Sequence, residues 1–279
     1  MRVARNDTEC RDSFERASGE ARSSFGDERV FLERFIEQPR HIEIQVMGDQ
    51  HGNIIHLYER ECSLQRRHQK IIEEAPSIAV KSAARKKMGD LILKVVKKIN
   101  YVNAATFEFL LADNGEFYFM EVNTRIQVEH PVTEFVTNTD IIKEQIKIAN
   151  GDKLKIKQDD VKIKGHSIEL RINAEDSINF KPSPGTITFY NKPGGLNVRV
   201  DDFIYCGYDV QPFYDSLIAK LIVYDTTRLG AINRAKSALN EFRVEGIETN
   251  ISFLRKILND SDYISGKLDI GYAQRFIER

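Results

Sequence analysis

Glu108 and residues 121–129 (Glu-Val-Asn-Thr-Arg-Ile-Gln-Val-Glu) bring carboxylates, amides and a guanidinium together at every second position. Side chains alternate along an extended chain. Glu121, Asn123, Arg125, Gln127 and Glu129 are therefore expected on one face, and Val122, Ile126 and Val128 on the other. A hard divalent cation takes oxygen ligands, usually one or two carboxylates completed by substrate phosphates. Glu108, Glu121 and Asn123 supply such a half-shell. Arg125, next along the row, is a planar cation suited to a two-pronged grip on a small oxyanion, and Glu129 is placed to act as a base. A lone Glu-x-Asn is more often a solvated surface feature, but five aligned polar residues of complementary type favour a site.

A hairpin has to position this row. Two aromatic and aliphatic runs flank Asp113-Asn114-Gly115, and Asn-Gly is a strong hairpin signal because both residues tolerate positive φ. With Ala112 to Gly115 as the loop, Leu111 faces Glu116, Glu108 faces Phe119, and Glu121 is the diagonal neighbour of Glu108. Upstream, residues 7–22 are charged with few apolar anchors and predict at best a short exposed helix, weakened by Gly19. Residues 30–36 read as an apolar strand. Residues 41–46 alternate cleanly, with His41, Glu43 and Gln45 on one face. After a turn at 48–53, residues 54–59 return as a strand.

The run from Arg60 to Lys70 is too charged for a core strand. It reads either as a solvated basic loop or as a set of donors for phosphate- and bicarbonate-sized anions, and its place directly after a strand that ends near the acidic face favours the donors. Apolar spacing over 77–98 predicts an amphipathic helix. Asp140 can cap a helix through Ala149, with Asn150-Gly151 ending it. Residues 152–164 look like a linker. Beyond them lie an alternating strand from Ser167, several short strands through Val210, a strand over 214–224, and helices over 229–242 and 249–258.

The chain has 279 residues and 41% hydrophobic content, enough for a real core. Its 41 basic and 42 acidic residues nearly cancel, which argues against a nucleic-acid binder. No window approaches the ~18 apolar residues that span a bilayer, and the start lacks a secretion signal. The expectation is a cytoplasmic protein with no membrane partner. Cys10, Cys62 and Cys206 form no C-x-x-C pair, so reduced thiols are expected.

Residues 65–70 (Gln-Arg-Arg-His-Gln-Lys), 121–134, 171–176 (Arg-Ile-Asn-Ala-Glu-Asp) and 182–185 (Pro-Ser-Pro-Gly) resemble, in order, the signatures of biotin carboxylase, the ATP-grasp component of biotin-dependent carboxylases. The resemblance covers nearly the whole chain. It implies an α+β fold in which a partial ATP-grasp domain, an antiparallel sheet with covering helices, spans residues 1–151. A linker over 152–165 and a mixed α/β C-terminal domain over 166–275 follow. The chain is expected to start downstream of that family's N-terminal domain and glycine-rich lid loop.

The implied reaction uses ATP and bicarbonate to make carboxyphosphate, which carboxylates biotin on a biotin carboxyl carrier protein. A carboxyltransferase subunit is the further partner, and a homodimer is expected. By the same resemblance Glu33, Arg34, Phe35 and Ile36 line the adenine pocket, and Gln65, His41 and His68 reach the nucleotide. Glu108, Glu121 and Asn123 hold Mg²⁺ (or Mn²⁺). Lys70, Arg125, Gln127 and the backbone of Val128 hold bicarbonate, Glu129 takes its proton, and Arg171 stabilises the enolate oxygen of biotin. Two other readings fit the same residues: a different ATP-grasp carboxylate–amine ligase, and a nucleotide-binding, dimerising module without turnover.

Overall fold

A computed structural model describes residues 2–279; Met1, the first residue of the expected 1–151 domain, lies outside the described residues. The chain forms two compact units, one ending at Glu37 and one running from Gln38 to Arg279. The first unit contains helix α1 (Asp7–Phe25), longer than its composition suggested and without a buried residue. Its ends explain the length. Asn6 accepts from the Glu9 N–H at 2.9 Å while its amide donates to the Glu9 carboxylate, and Gly26 closes the helix in the left-handed region. The strand expected over 30–36 does not form. That segment is irregular, with Phe31, Leu32 and Phe35 exposed, because among the described residues of its own unit no strand takes up its backbone hydrogen bonds.

The second unit opens with β1 (Arg40–Gly48), β2 (Ile54–Arg66) and β3 (Gln69–Ala75). His41, Glu43 and Gln45 do share a face of β1, but both faces are buried. The charged run at 60–70 is not a loop: it ends β2, turns at Arg67 and His68, and starts β3. Both turn residues have positive φ, 51° and 65°, the geometry that suits a two-residue hairpin. Charge misled the reading here, because Arg60 and Glu61 are buried with partners instead of solvated.

Helix α2 (Ser82–Lys98) leads into the hairpin β4 (Asn103–Leu111) and β5 (Phe117–Asn123). Its register differs from the expected one. Leu111 faces Phe117, Phe109 faces Phe119, and a bulge at Met120 then brings Glu121 directly opposite Glu108. The strand also stops at Asn123, so the extended alternation does not reach residues 125–129.

Helix α3 (His130–Thr137), which the sequence pattern did not suggest, precedes α4 (Ile141–Ala149). Asp140 caps α4 by accepting from the Lys143 N–H at 2.9 Å, and Gly151 takes positive φ just beyond its end. A short 3₁₀ turn (Gln158–Asp160) follows, then β6 (His166–Asn173), β7 (Gly185–Thr186), β8 (Phe189–Asn191), β9 (Val198–Asp202), β10 (Asp209–Val210) and β11 (Leu217–Asp225). Helix α5 (Arg228–Glu241), β12 (Arg243–Glu245), α6 (Ile251–Asn259), α7 (Ser261–Ser265) and α8 (Tyr272–Ile277) complete the chain.

Eight strands make one sheet in the order β5-β4-β1-β2-β3-β6-β11-β9, each neighbouring pair antiparallel. Pairing of β3 with β6 carries this sheet across both sides of segment 152–165. One face packs Ile44, Val46 and Phe107 against Met88, Ile92 and Val96 of α2, and Ile168, Leu170 and Leu221 against α5 and α6. Helices α3 and α4 cover the other face through Val132, Val136, Ile141 and Ile148. Backbones approach closely at Gly48, where a Cβ would lie 2.4 Å from the Tyr101 carbonyl oxygen. Gly48→Ala is therefore expected to destabilise the protein by about 1–3 kcal/mol, read as a lower midpoint in urea unfolding.

Candidate active site

The face under α3 is polar where a sheet face is usually apolar, and strand register accounts for it. Arg60 pairs across β2 with Glu43 on β1, Glu43 with Glu108 on β4, and Glu108 with Glu121 on β5, a charged row over four strands. Arg60 is fully buried and Glu43 shows no exposure. The Arg60 Nε donates to Glu43. Its other nitrogens donate to Gln45 at 2.9 Å, Thr133 at 3.1 Å, Thr106 at 3.2 Å and the Gln127 Oε1 at 3.0 Å. Every edge of the planar fork has an acceptor, which is how a buried guanidinium is tolerated.

Lys70, at the start of β3, fills the space between the carboxylates. Its Nζ lies 2.5 Å from Glu43, 2.5 Å from Glu129 and 3.4 Å from Glu108. Gln127 accepts from Arg60 and donates to Glu108 at 2.6 Å. The Gln65 side-chain nitrogen lies 2.8 Å from the Nδ1 of His41, and the His41 Nε2 lies 2.8 Å from Glu108. Asn123 donates to Glu108 at 2.9 Å and to Glu121 at 3.0 Å. From the other side Arg171 on β6 donates to Glu73 at 2.5 Å and to Glu129 at 3.0 Å. The two oxygens of Glu129 thus take one cation each, Lys70 and Arg171.

Burial by itself pushes the Glu43 and Glu108 carboxyls up. The Arg60, Lys70 and His41 charges more than reverse this for Glu43, and the His41 contact, the Lys70 charge and the Gln127 hydrogen bond do so for Glu108, holding each at about 2. For Glu73 burial wins over Arg171 and raises the carboxyl to about 7. These shifts set opposite pH dependences. Glu43 and Glu108 stabilise the fold above their unfolded value of 4.5, and that contribution is lost as pH falls toward 2. Folded Glu73 keeps a proton that the unfolded chain releases, so its contribution is full below pH 4.5 and is lost as pH rises to about 7. Thermal melts are expected to show a stability decline between pH 5 and pH 7 that Glu73→Gln flattens, with the acid-side decline unchanged.

Of the residues expected at the site, the structure gathers His41, Gln65, Lys70, Glu108, Glu121, Asn123, Gln127, Glu129 and Arg171. Arg125 does not join them: it is exposed and donates to the Ile126 carbonyl at 3.1 Å, because the chain has left the strand before reaching it. His68 is exposed at the β2–β3 turn. The Val128 carbonyl accepts from Lys220 at 2.8 Å. Glu33, Arg34, Phe35 and Ile36 lie in the irregular segment of the first unit, where the Arg5 guanidinium sits 5.9 Å from the Phe35 ring centroid.

Sequence reasoning missed Glu43, Arg60, Glu73 and Lys220. A charge repeated on the polar side of an otherwise apolar strand, as at Glu43 and Lys220, was the available signal. Glu108 and Glu121 sit directly opposite on adjacent strands, with Asn123 bridging them. Once the Asn123 amide turns its oxygen inward this is an all-oxygen donor set, which fits Mg²⁺ or Mn²⁺.

The sequence profile of the carbamoyl-phosphate synthase L chain ATP-binding domain matches residues 1–157, and that of the biotin carboxylase C-terminal domain matches residues 169–275. The chain belongs to the biotin carboxylase family. It is 51% identical over 278 residues to biotin carboxylase 1 of Bacillus subtilis, an overlap of 99% of this chain and 62% of that protein. It matches the biotin carboxylase domain dimer of Hydrogenobacter thermophilus 2-oxoglutarate carboxylase, solved with MgADP, ADP and bicarbonate, with a TM-score of 0.93 and 47% identity over 98% of this chain and 61% of that one. The Campylobacter jejuni biotin carboxylase complex with β,γ-ATP gives a TM-score of 0.94 and 46% identity over 99% and 61%. The chain thus spans 62% of the length of the curated relative and 61% of each solved chain.

Proposed function

We propose that the chain is the central and C-terminal part of an ATP-dependent ligase that carboxylates biotin on a carrier protein with bicarbonate, by way of carboxyphosphate. The observation that carries this reading is the single carboxylate, Glu129, gripped by Lys70 at 2.5 Å and Arg171 at 3.0 Å beside the Glu108–Glu121 pair. A base, Glu129, and an anion-binding cation, Lys70, lie beside the proposed metal ligands, and a second cation, Arg171, holds the base from its far side. Residues 1–151 are read as the partial ATP-grasp portion and residues 166–275 as the C-terminal domain.

In this reading Glu108, Glu121 and Asn123 hold Mg²⁺, which when bound neutralises the phosphate oxygens of ATP. His41, Gln65 and His68 face the nucleotide. Lys70, Gln127, Arg125 and the Val128 N–H orient bicarbonate. Glu129 removes the bicarbonate proton, so that a carboxylate oxygen attacks the γ-phosphorus and ADP leaves. Arg171 meets the negative charge that builds on the ureido oxygen as biotin is carboxylated. Lys70 keeps its proton throughout: burial disfavours its charge, but Glu43, Glu129 and Glu108 outweigh that and raise it well above the ordinary lysine value. It acts as a fixed cation and not as a base. A carrier protein, a carboxyltransferase and a second copy of the chain are the expected partners, and the cytoplasm is the expected compartment.

The test is ATP hydrolysis by the full chain with and without bicarbonate, and with and without free biotin. Bicarbonate-dependent release of ADP supports the reading. Hydrolysis driven by an amine instead would assign the chain to another ATP-grasp ligase, and nucleotide binding without turnover would assign it a binding role.

A further inference from the structure

Behind Arg171, on the same face of the sheet, two carboxyl groups have no role in the reaction outlined above. Glu73 on β3 and Glu169 on β6 are direct neighbours across the ladder, and neither shows any exposure. Directly opposed residues in an antiparallel pair hold their Cβ atoms roughly 4.5–5.5 Å apart. Glu73 accepts from Arg171 through Oε1, but its Oε2 and both oxygens of Glu169 are buried without a hydrogen-bond partner. Three orphaned oxygens on two facing acids cannot all be anionic at a reasonable cost in a dry interior.

The groups facing them come from every neighbouring element. They are Arg171 on β6, Lys220 on β11 directly across from it, Glu129 at the head of α3, Lys70 on β3, and Cys62 on β2. Lys220 is engaged by the Val128 carbonyl at 2.8 Å and Asp201 at 3.4 Å. Lys70 is engaged by Glu43. Ile222, directly across from Glu169 on β11, packs with Val132 and Val136 of α3. Among the described residues Glu169 makes no ion pair.

We propose that Glu73 and Glu169 hold one proton between them at neutral pH and act together as positioning residues for Arg171. With the pair carrying a single negative charge, one carboxylate anchors the Arg171 Nε while its terminal nitrogen stays on Glu129. A doubly charged pair would draw the guanidinium away from Glu129, and a neutral pair would release it. Burial raises Glu73 to about 7, and burial together with the Glu73 charge holds Glu169 well above its ordinary value, which agrees with the geometry. The shared proton follows from the arrangement alone; what the placement of Arg171 means for biotin rests on the function proposed above.

Infrared spectra of the full chain test this without nucleotide or biotin, so failure here is distinct from failure of the carboxylase reading. At pH 8 the wild-type protein is expected to show the carbonyl stretch of one un-ionised carboxyl, absent in Glu169→Gln because Glu73 alone then ionises. The ¹⁵N signal of the Arg171 Nε is expected to titrate with that band in the wild type and to stay flat over the same range in Glu169→Gln. A purely structural acid pair would leave that nitrogen unmoved. Absence of the band in the wild type, which needs no variant to fold, would overturn the proposal, as would its persistence in Glu169→Gln.

Discussion

Arg60→Met is expected to cost about 3–5 kcal/mol of folding stability, the range for removing one partner of a buried ion pair. The side chain of methionine is similar in length and apolar, so little of the loss comes from volume. It comes from Glu43, which keeps no exposure and would retain only Lys70 and His41 as counter-charges, and from the Gln45 and Gln127 oxygens left without their donor. Stability is a small difference between large terms, so equilibrium unfolding in urea should show a midpoint lowered severalfold more than for a surface arginine such as Arg29. Because Gln127 also donates to Glu108, the same change should weaken binding at the carboxylate row. An Arg60→Met protein as stable as the wild type would mean that the row is held by packing and not by charge.

Glu121→Gln is expected to reduce bicarbonate-dependent ATP hydrolysis roughly 100-fold or more, since even residues behind a metal ligand change affinity or activity 10–100-fold. Glu121 is the exposed member of the proposed ligand set, at the end of an edge strand, and contributes nothing to the core. Its loss should therefore leave the melting temperature unchanged while abolishing turnover. That separation distinguishes it from Arg60, whose two effects come together. Hydrolysis by Glu121→Gln at the wild-type rate would remove the metal assignment from this hairpin.

How far the sequence disclosed this site depended on which physical signal each residue left. The Asn114-Gly115 turn placed the β4–β5 hairpin, and the alternation at 41–46 placed His41, Glu43 and Gln45 on one face, because both are local properties of the backbone. The direct pairing of Glu108 with Glu121 was not local: it needed the bulge at Met120, which no residue type announces. Extending the alternation to Glu129 named two residues that do lie in the charged cluster, but by a wrong route. Gln127 and Glu129 arrive through a turn into α3, and Arg125, the residue between, is left outside. The largest miss was the secondary structure of Arg60 to Lys70, judged too charged for a core strand yet folded as the β2–β3 hairpin. A charge-rich run is solvated in most proteins, and only the partners supplied by β1, β4 and α3 make burial of Arg60 affordable. The motif resemblance named the family without showing which cations pair with which carboxylates.

The central claim is that Glu108 and Glu121 share one divalent cation together with a bound nucleotide. Water-proton relaxation by Mn²⁺ in the presence of ADP measures this most directly, because the signal reports the ion and not turnover. A saturable, ADP-dependent enhancement is predicted for the full chain, weakened at least ~10-fold in Glu108→Gln. Equal enhancement in the wild type and in Glu108→Gln would contradict it.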